Sequence, residues 1–196
     1  MPDRALLQWY DGEAAITGVT RDERGWWHTF EGEEVAGPVR VSVDAGFRRL
    51  MCELHTLAHI ANSIVFKTFD GALLTGAQLS GDGTFRLDFD IPASDVDRLR
   101  ILAGSVNDVI QADHPIRAFL MSWDAANAVP GHFRSKAVSP PRQADGNIRI
   151  VEIGDIDRQG CGGTHLKSTG EARPVRILKV DNKGRQNRRI KVGFDV

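Results

Sequence analysis

Cysteine is scarce: Cys52 and Cys161 are the only two among 196 residues. Two thiols cannot make a disulfide framework, and a reduced, cytoplasmic setting is expected. No apolar run reaches the roughly 18 residues that a membrane-spanning helix needs. The opening Met1-Pro2-Asp3-Arg4 lacks the basic start and apolar stretch of a secretory signal. No membrane partner is therefore expected, and no redox or nucleotide cofactor. Charge imbalance is also missing, the formal net charge being −1. Any contact with nucleic acid must then come from local basic patches rather than from a global field. Internal repeats, low-complexity tracts and aromatic RNA-recognition motifs are absent.

What is present reads as an ordinary globular chain, with 41% hydrophobic and 26% charged residues. Residues 5–43 read as short strands: 14–20, a polar turn at 21–25, a return strand at 26–30, and an alternating stretch at 38–43. Asp44 is placed to cap a long helix from Ala45 to about Phe66. Its apolar positions Phe47, Leu50, Met51, Leu54, Ala58, Ala61 and Val65 recur at threes and fours. Two strands at 72–79 and 84–91 flank Gly81-Asp82-Gly83 and read as a hairpin. Pro92-Ala93-Ser94-Asp95-Val96-Asp97 opens a second helix, with Ser94 as cap and Val96, Leu99, Ile101, Leu102, Val106, Val109 and Ile110 as its stripe. Residues 114–146 carry four prolines and read as an irregular peripheral excursion. Strands return at 148–153, 175–180 and 188–194. The expected fold is α+β: two long helices packed on a largely antiparallel sheet, with a short N-terminal β segment at 1–43 and a main domain at 44–196.

Two pairs of metal-binding side chains stand out. His55 and His59 are spaced i, i+4 in an apolar, helix-compatible segment, which puts both imidazoles on one helix face. Cys161 and His165 bracket Gly162-Gly163, a pair that favours a turn and lets two side chains converge. Three imidazoles and a thiolate make a borderline-soft donor set that suits one zinc ion per chain. Four protein ligands ordinarily close a structural site, whereas catalytic zinc keeps a position open. Both roles stay open at this level. Gly162 and Gly163 can also present backbone N–H groups to an oxyanion. Thr56 and Thr164 can donate to a bound ester or ribose. Cys52 reads as a small buried hydrophobe, and His28, His114 and His132 as ordinary surface or capping histidines.

The two pairs also carry a resemblance. His55-Thr56-x-x-His59 followed far downstream by Cys161-Gly162-Gly163-Thr164-His165 resembles the editing domain of alanyl-tRNA synthetase and its freestanding relatives, the alanyl-tRNA editing proteins. The likeness extends through Val43-Asp44, Arg48-Arg49, Gly76-Ala77-Gln78-Leu79-Ser80, Ser168-Thr169-Gly170-Glu171 and 183–190. It implies an α+β editing domain and a zinc-dependent hydrolase that deacylates mischarged Ser-tRNA(Ala). A synthetic pocket built for alanine cannot strongly exclude serine. A second site that hydrogen-bonds the hydroxyl rejects alanine instead. In the family a threonine near position 75 senses that hydroxyl, which points to Thr75, and Gln78 is a further pocket candidate. Nothing resembles an aminoacylation catalytic domain. Residues 5–43 resemble a shortened form of the N-terminal β domain of longer members, without its glycine-rich stretch, which leaves Gly-tRNA(Ala) open as a second substrate. Against an RNA partner, Lys183, Arg185, Arg188 and Arg189 in a basic hairpin, with Arg48 and Arg49 before the first ligand, are candidates for phosphate contact. The competing readings are a threonyl-type or other aminoacyl-ester hydrolase, and a non-catalytic zinc-stabilised RNA-binding module.

Overall fold

A computed structural model describes residues 3–91, 96–137 and 139–195. The chain divides into two compact units, Met1–Leu50 and Met51–Val196. In the first, β1 (Ala5–Trp9), β2 (Gly12–Asp22), β3 (Gly25–Phe30) and β4 (Arg40–Val43) form one antiparallel sheet in the order β3-β2-β1-β4. The β2–β3 turn closes because Asp22 accepts the backbone N–H groups of Arg24 (2.8 Å) and Gly25 (3.2 Å). Asp44 caps the long helix α1 (Ala45–Thr68) as expected, its carboxylate accepting the Phe47 N–H at 2.9 Å.

Within the second unit α1 buries Leu54, Leu57, Ile60, Ala61 and Val65 completely. Burying a side chain of this kind is worth about 1.5–3 kcal/mol for the larger ones, so packing rather than propensity holds the helix. The helix stops where Asp70 (φ 48°) and Gly71 (φ 84°) turn left-handed and the Gly71 N–H returns to the Phe66 carbonyl at 2.9 Å. β5 (Leu74–Leu79) and β6 (Thr84–Asp90) follow as the expected hairpin. Asp82 accepts from the backbone and hydroxyl of Thr84 at its tip.

The second long helix is corrected. Ser94, its expected cap, lies outside the described residues. Beyond it stand a five-residue helix α2 (Val96–Arg100) and a ten-residue helix α3 (Leu102–Gln111), divided at Ile101. Ile101 is 74% exposed rather than part of the stripe. Its carbonyl accepts the Gly104 N–H, an i→i+3 bond in place of the helical i→i+4. Glycine, a poor helix former, sits where the tighter turn is made.

The region 114–146 is also more regular than expected. It supplies β7 (Ile116–Ser122) and α4 (Trp123–Asn127), the latter capped by the Ser122 hydroxyl. β7 pairs with β8 (Asn147–Ile153), which pairs with β9 (Asp157–Gly160). Phe119, Met121, Trp123 and Phe133 pack on buried Ala126, Ile148 and Ile150. β10 (Val175–Asn182) and β11 (Asn187–Phe194) complete a second sheet, order β10-β11-β6-β5. The α+β class with antiparallel pairing holds, spread among the described residues over three sheets rather than one. Among the described residues no helix is long and apolar enough to cross a membrane.

Candidate metal centre

One turn of α1 separates His55 from His59, and the segment after β9 carries Cys161 and His165. One donor atom from each of the four lies within 4.8 Å of the others. The rings of His55 and His165 stack at 4.2 Å, and His59 stands edge-on to both, at 4.9 and 4.6 Å. Cys161 Sγ is 3.5 Å from Nε2 of His55 and 3.5 Å from Nε2 of His165. Bonds of about 2.1 Å to nitrogen and about 2.3 Å to sulfur put the donors of a tetrahedral zinc about 3.5 Å apart. The cluster therefore fits that ion with little movement.

The outer face of each imidazole is already engaged. His59 Nδ1–H donates to Asp157 Oδ2 at 2.9 Å. Asp157 also accepts from Gln159 Nε2 at 3.0 Å and from Arg134 Nη1 at 2.6 Å. His55 Nδ1–H donates to the Thr164 carbonyl at 3.2 Å. Thr56 Oγ1 lies 3.3 Å from His165 Nδ1 and accepts the Leu166 N–H at 3.2 Å. Each Nδ1 is thus engaged from outside, which leaves each Nε2 for the centre, the arrangement of a metal-ligating histidine.

Sterics and charge support the same geometry. A Cβ on Gly163 would come within 2.2 Å of His55 Cε1, so only glycine fits there. Arg149 of β8 clamps the turn by donating to the carbonyls of Cys161 (2.9 Å) and Gly163 (2.8 Å). Glu53, on the same helix as the histidines, accepts the backbone N–H and guanidinium of Arg173. Burial pushes the Cys161 thiol up, but the three imidazoles around it win and bring it down to about 3. Burial likewise opposes charge on His59, yet Asp157 and Cys161 outweigh it and raise the ring to about 9. Burial lowers His165 to about 4. A thiolate is thus ready at neutral pH, as metal binding requires.

The other expected site residues fall in different places. Thr56 is buried and acts on His165 and Leu166. The Thr164 carbonyl serves His55. The Gly163 N–H donates to Cys161 Sγ at 3.3 Å and is not free for an oxyanion; Gly162 is exposed, close to Pro141. Thr75 is the extra residue of a bulge between Leu74 and Gly76, and its hydroxyl is buried without a partner. Gln78 is exposed, opposite Arg86. Among the described residues no hydrogen bond joins Thr75 or Gln78 to the four donors. Arg48 pairs with Asp3, and Arg49 is exposed on α1. Lys183 and Arg185 are exposed at the β10–β11 turn. Arg188 is a correction: it is 0% exposed and donates to Asn182 Oδ1 and to the carbonyls of Gly184, Asn187 and Arg185. It holds the turn and presents no charge to a phosphate. Arg189 is paired with Asp88 at 2.6 and 2.8 Å.

Sequence reasoning missed Asp157, Gln159, Arg134 and Arg149. A signal existed for the first two: Asp157, Gln159 and Cys161 alternate along one strand direction, so all three share a face. Arg134 offered none, because it lies in the proline-bearing stretch 114–146, where no periodicity marks a buried side.

A family model described as "Threonyl and Alanyl tRNA synthetase second additional domain" matches residues 148–191. The chain is 35% identical over 152 residues to the alanyl-tRNA editing protein AlaX-M of Methanosarcina acetivorans, covering 78% of this chain and 61% of that one. It is 31% identical over 169 residues to the AlaX-M protein of Methanosarcina barkeri, covering 83% and 68%. It is also 29% identical to the alanine–tRNA ligase of Salinispora tropica, over 99% of this chain but 22% of the ligase. The chain spans about six-tenths of the length of the first AlaX-M relatives.

Proposed function

Because the chain belongs to the family of alanyl-tRNA editing proteins, we propose that it is a zinc-dependent hydrolase that removes serine from mischarged tRNA(Ala). The observation that carries the zinc is the convergence of His55, His59, Cys161 and His165 with all three Nδ1 atoms held from outside. Zinc held there supplies a positive charge that polarises an ester carbonyl or acidifies a water. An aminoacyl ester is already activated, so the remaining task is to orient water and substrate. Thr56 and Arg149 keep the donors and the glycine turn in place for it.

Thr75 is the residue assigned to selectivity. Bulges re-aim side chains, and a buried hydroxyl without a partner is costly unless a ligand completes it. A seryl hydroxyl completes it; an alanyl methyl leaves it unpaired. On the RNA side, Lys183 and Arg185 contact phosphates, with Arg188 fixing the turn that presents them.

A second reading has its own observation. Four protein donors form a closed set, which favours a zinc that ties α1 to the 161–165 turn while hydrolysis depends on neighbouring groups. The test is deacylation of seryl-, glycyl- and alanyl-tRNA(Ala) and seryl-tRNA(Thr) by metal-loaded and metal-stripped protein. Selective, metal-dependent loss of serine from tRNA(Ala) supports the proposal. Preference for tRNA(Thr) points instead to threonyl-type editing, and no hydrolysis at all to an RNA-binding module.

A further inference from the structure

We propose that Arg134 is a positioning residue that locks the metal ligand His59 and the Thr75 bulge into one register. The inference rests on the editing reading for its selectivity half alone. Arg134 lies in the stretch between α4 and β8, far in sequence from both. It is 8% exposed, and its guanidinium lies over the Phe66 ring of α1, 4.8 Å from the centroid. Nη1 donates to Asp157 Oδ1 at 2.6 Å, and Asp157, 2% exposed, gives its other oxygen to His59. The carboxylate thus has one oxygen fixed by Arg134 and the other aimed at the ligand. A buried carboxylate with its cation in place cannot swing, so the imidazole it holds keeps its angle.

The main chain of the same residue reaches the other element. The Arg134 carbonyl accepts the Leu74 N–H at 2.8 Å, and the Leu74 carbonyl accepts the Lys136 N–H at 2.8 Å, as a parallel bridge between Leu74 and Ser135. Leu74 is one side of the bulge that projects Thr75. The segment is tied to β9 as well, since the Gly160 N–H donates to the His132 carbonyl at 3.0 Å. Gly131 turns the chain into this segment at a φ of +85°, a conformation that favours glycine. One side chain and its own backbone therefore link His59, Asp157, Leu74 and Thr75 in an unbroken series. A shift of Arg134 moves a metal ligand and the selectivity hydroxyl together.

Zinc affinity of the full chain, measured below the melting temperature by competition with a chromophoric chelator, is the first readout. Arg134→Met and Asp157→Asn are each expected to weaken zinc by about 10–100-fold, and Arg134→Lys to recover most of that affinity by restoring a cation. The double variant is expected to be no weaker than the weaker single, because the two residues act as one unit. The second readout is the ratio of seryl to alanyl ester hydrolysis at saturating zinc, which falls in Arg134→Met. Zinc affinity within about twofold of wild type in both single variants overturns the proposal, as does an unchanged ratio in a protein that does discriminate. If Arg134→Met does not fold, the neutral variant Arg134→Gln takes its place beside Asp157→Asn on the same thresholds. If the wild type hydrolyses neither ester, the editing reading fails and the chelator measurement alone decides the lock on His59.

Discussion

The metal centre and the β10–β11 hairpin both stand out by residue type, and the fold treats them differently. At the centre all four candidate donors converge, and every histidine is braced from behind. At the hairpin two of the four candidate cations are taken up by the protein: buried Arg188 cages the turn carbonyls, and half-buried Arg189 pairs with Asp88. Only Lys183 and Arg185 of the four remain exposed there. Donor softness and spacing constrain geometry tightly, because a metal accepts few arrangements. Positive charge constrains little, because a guanidinium serves equally as scaffold or as contact.

The largest expected effect breaks the centre outright. Cys161→Ala removes the thiolate, and bound zinc is expected to fall from about one per chain to a small fraction of that. Deacylation of Ser-tRNA(Ala) is expected to fall by on the order of 10³-fold, matching several kcal/mol of forfeited charge stabilisation. Metal analysis beside initial rates checks both, and full zinc content in the variant refutes the site. Next, Thr75→Val separates selectivity from metal binding. Seryl hydrolysis is expected to drop by about 10–100-fold with alanyl hydrolysis and zinc content unchanged. An equal drop on both esters would make Thr75 structural.

Two variants in the hairpin sharpen its division of labour. Arg188→Met removes the donor that holds the turn carbonyls and Asn182 and is expected to cost about 1–3 kcal/mol in denaturant unfolding. Lys183→Gln with Arg185→Gln is expected to leave unfolding unchanged. It is expected to flatten the slope of log tRNA affinity against log salt by roughly 0.7–0.9 for each phosphate no longer neutralised. The reverse pattern would exchange the two roles.

The smallest effect is on pH. In zinc-stripped protein the Cys161 thiol is depressed to about 3, so its stabilising share is full above the ordinary thiol range and lost as pH falls through about 3. His59 is raised to about 9, so its share is full below the ordinary imidazole range and lost as pH rises through about 9. Thermal melts are expected to show stability rising from about pH 3 to the ordinary imidazole range and level from there to about pH 9, where the loss at His59 offsets the gain at Cys161. Thiolate absorbance, taken as the difference from Cys161→Ala, is expected to persist at pH 5. Its disappearance there would contradict the clustered geometry.

Much of the molecule was legible locally. The i, i+4 histidines, the glycine turn between Cys161 and His165, the Asp44 cap and the Gly81-Asp82-Gly83 hairpin each rest on interactions within a few residues, and such interactions leave a pattern in neighbouring letters. The division at Ile101 was hidden because Leu99 and Leu102 continue a plausible stripe, and β7 because the apolar run 118–121 masks its alternation.

What only the tertiary structure decided is who stands behind the ligands. His59 meets Asp157 across 98 positions, and Asp157 meets Arg134 across 23. Arg188 turns inward because four turn acceptors surround it, not because of any letter beside it. A buried charge needs partners wherever the fold brings them, and that requirement leaves no periodicity in the chain. Residue type and spacing determined which atoms can bind a metal; packing decided which charges brace them and which remain exposed.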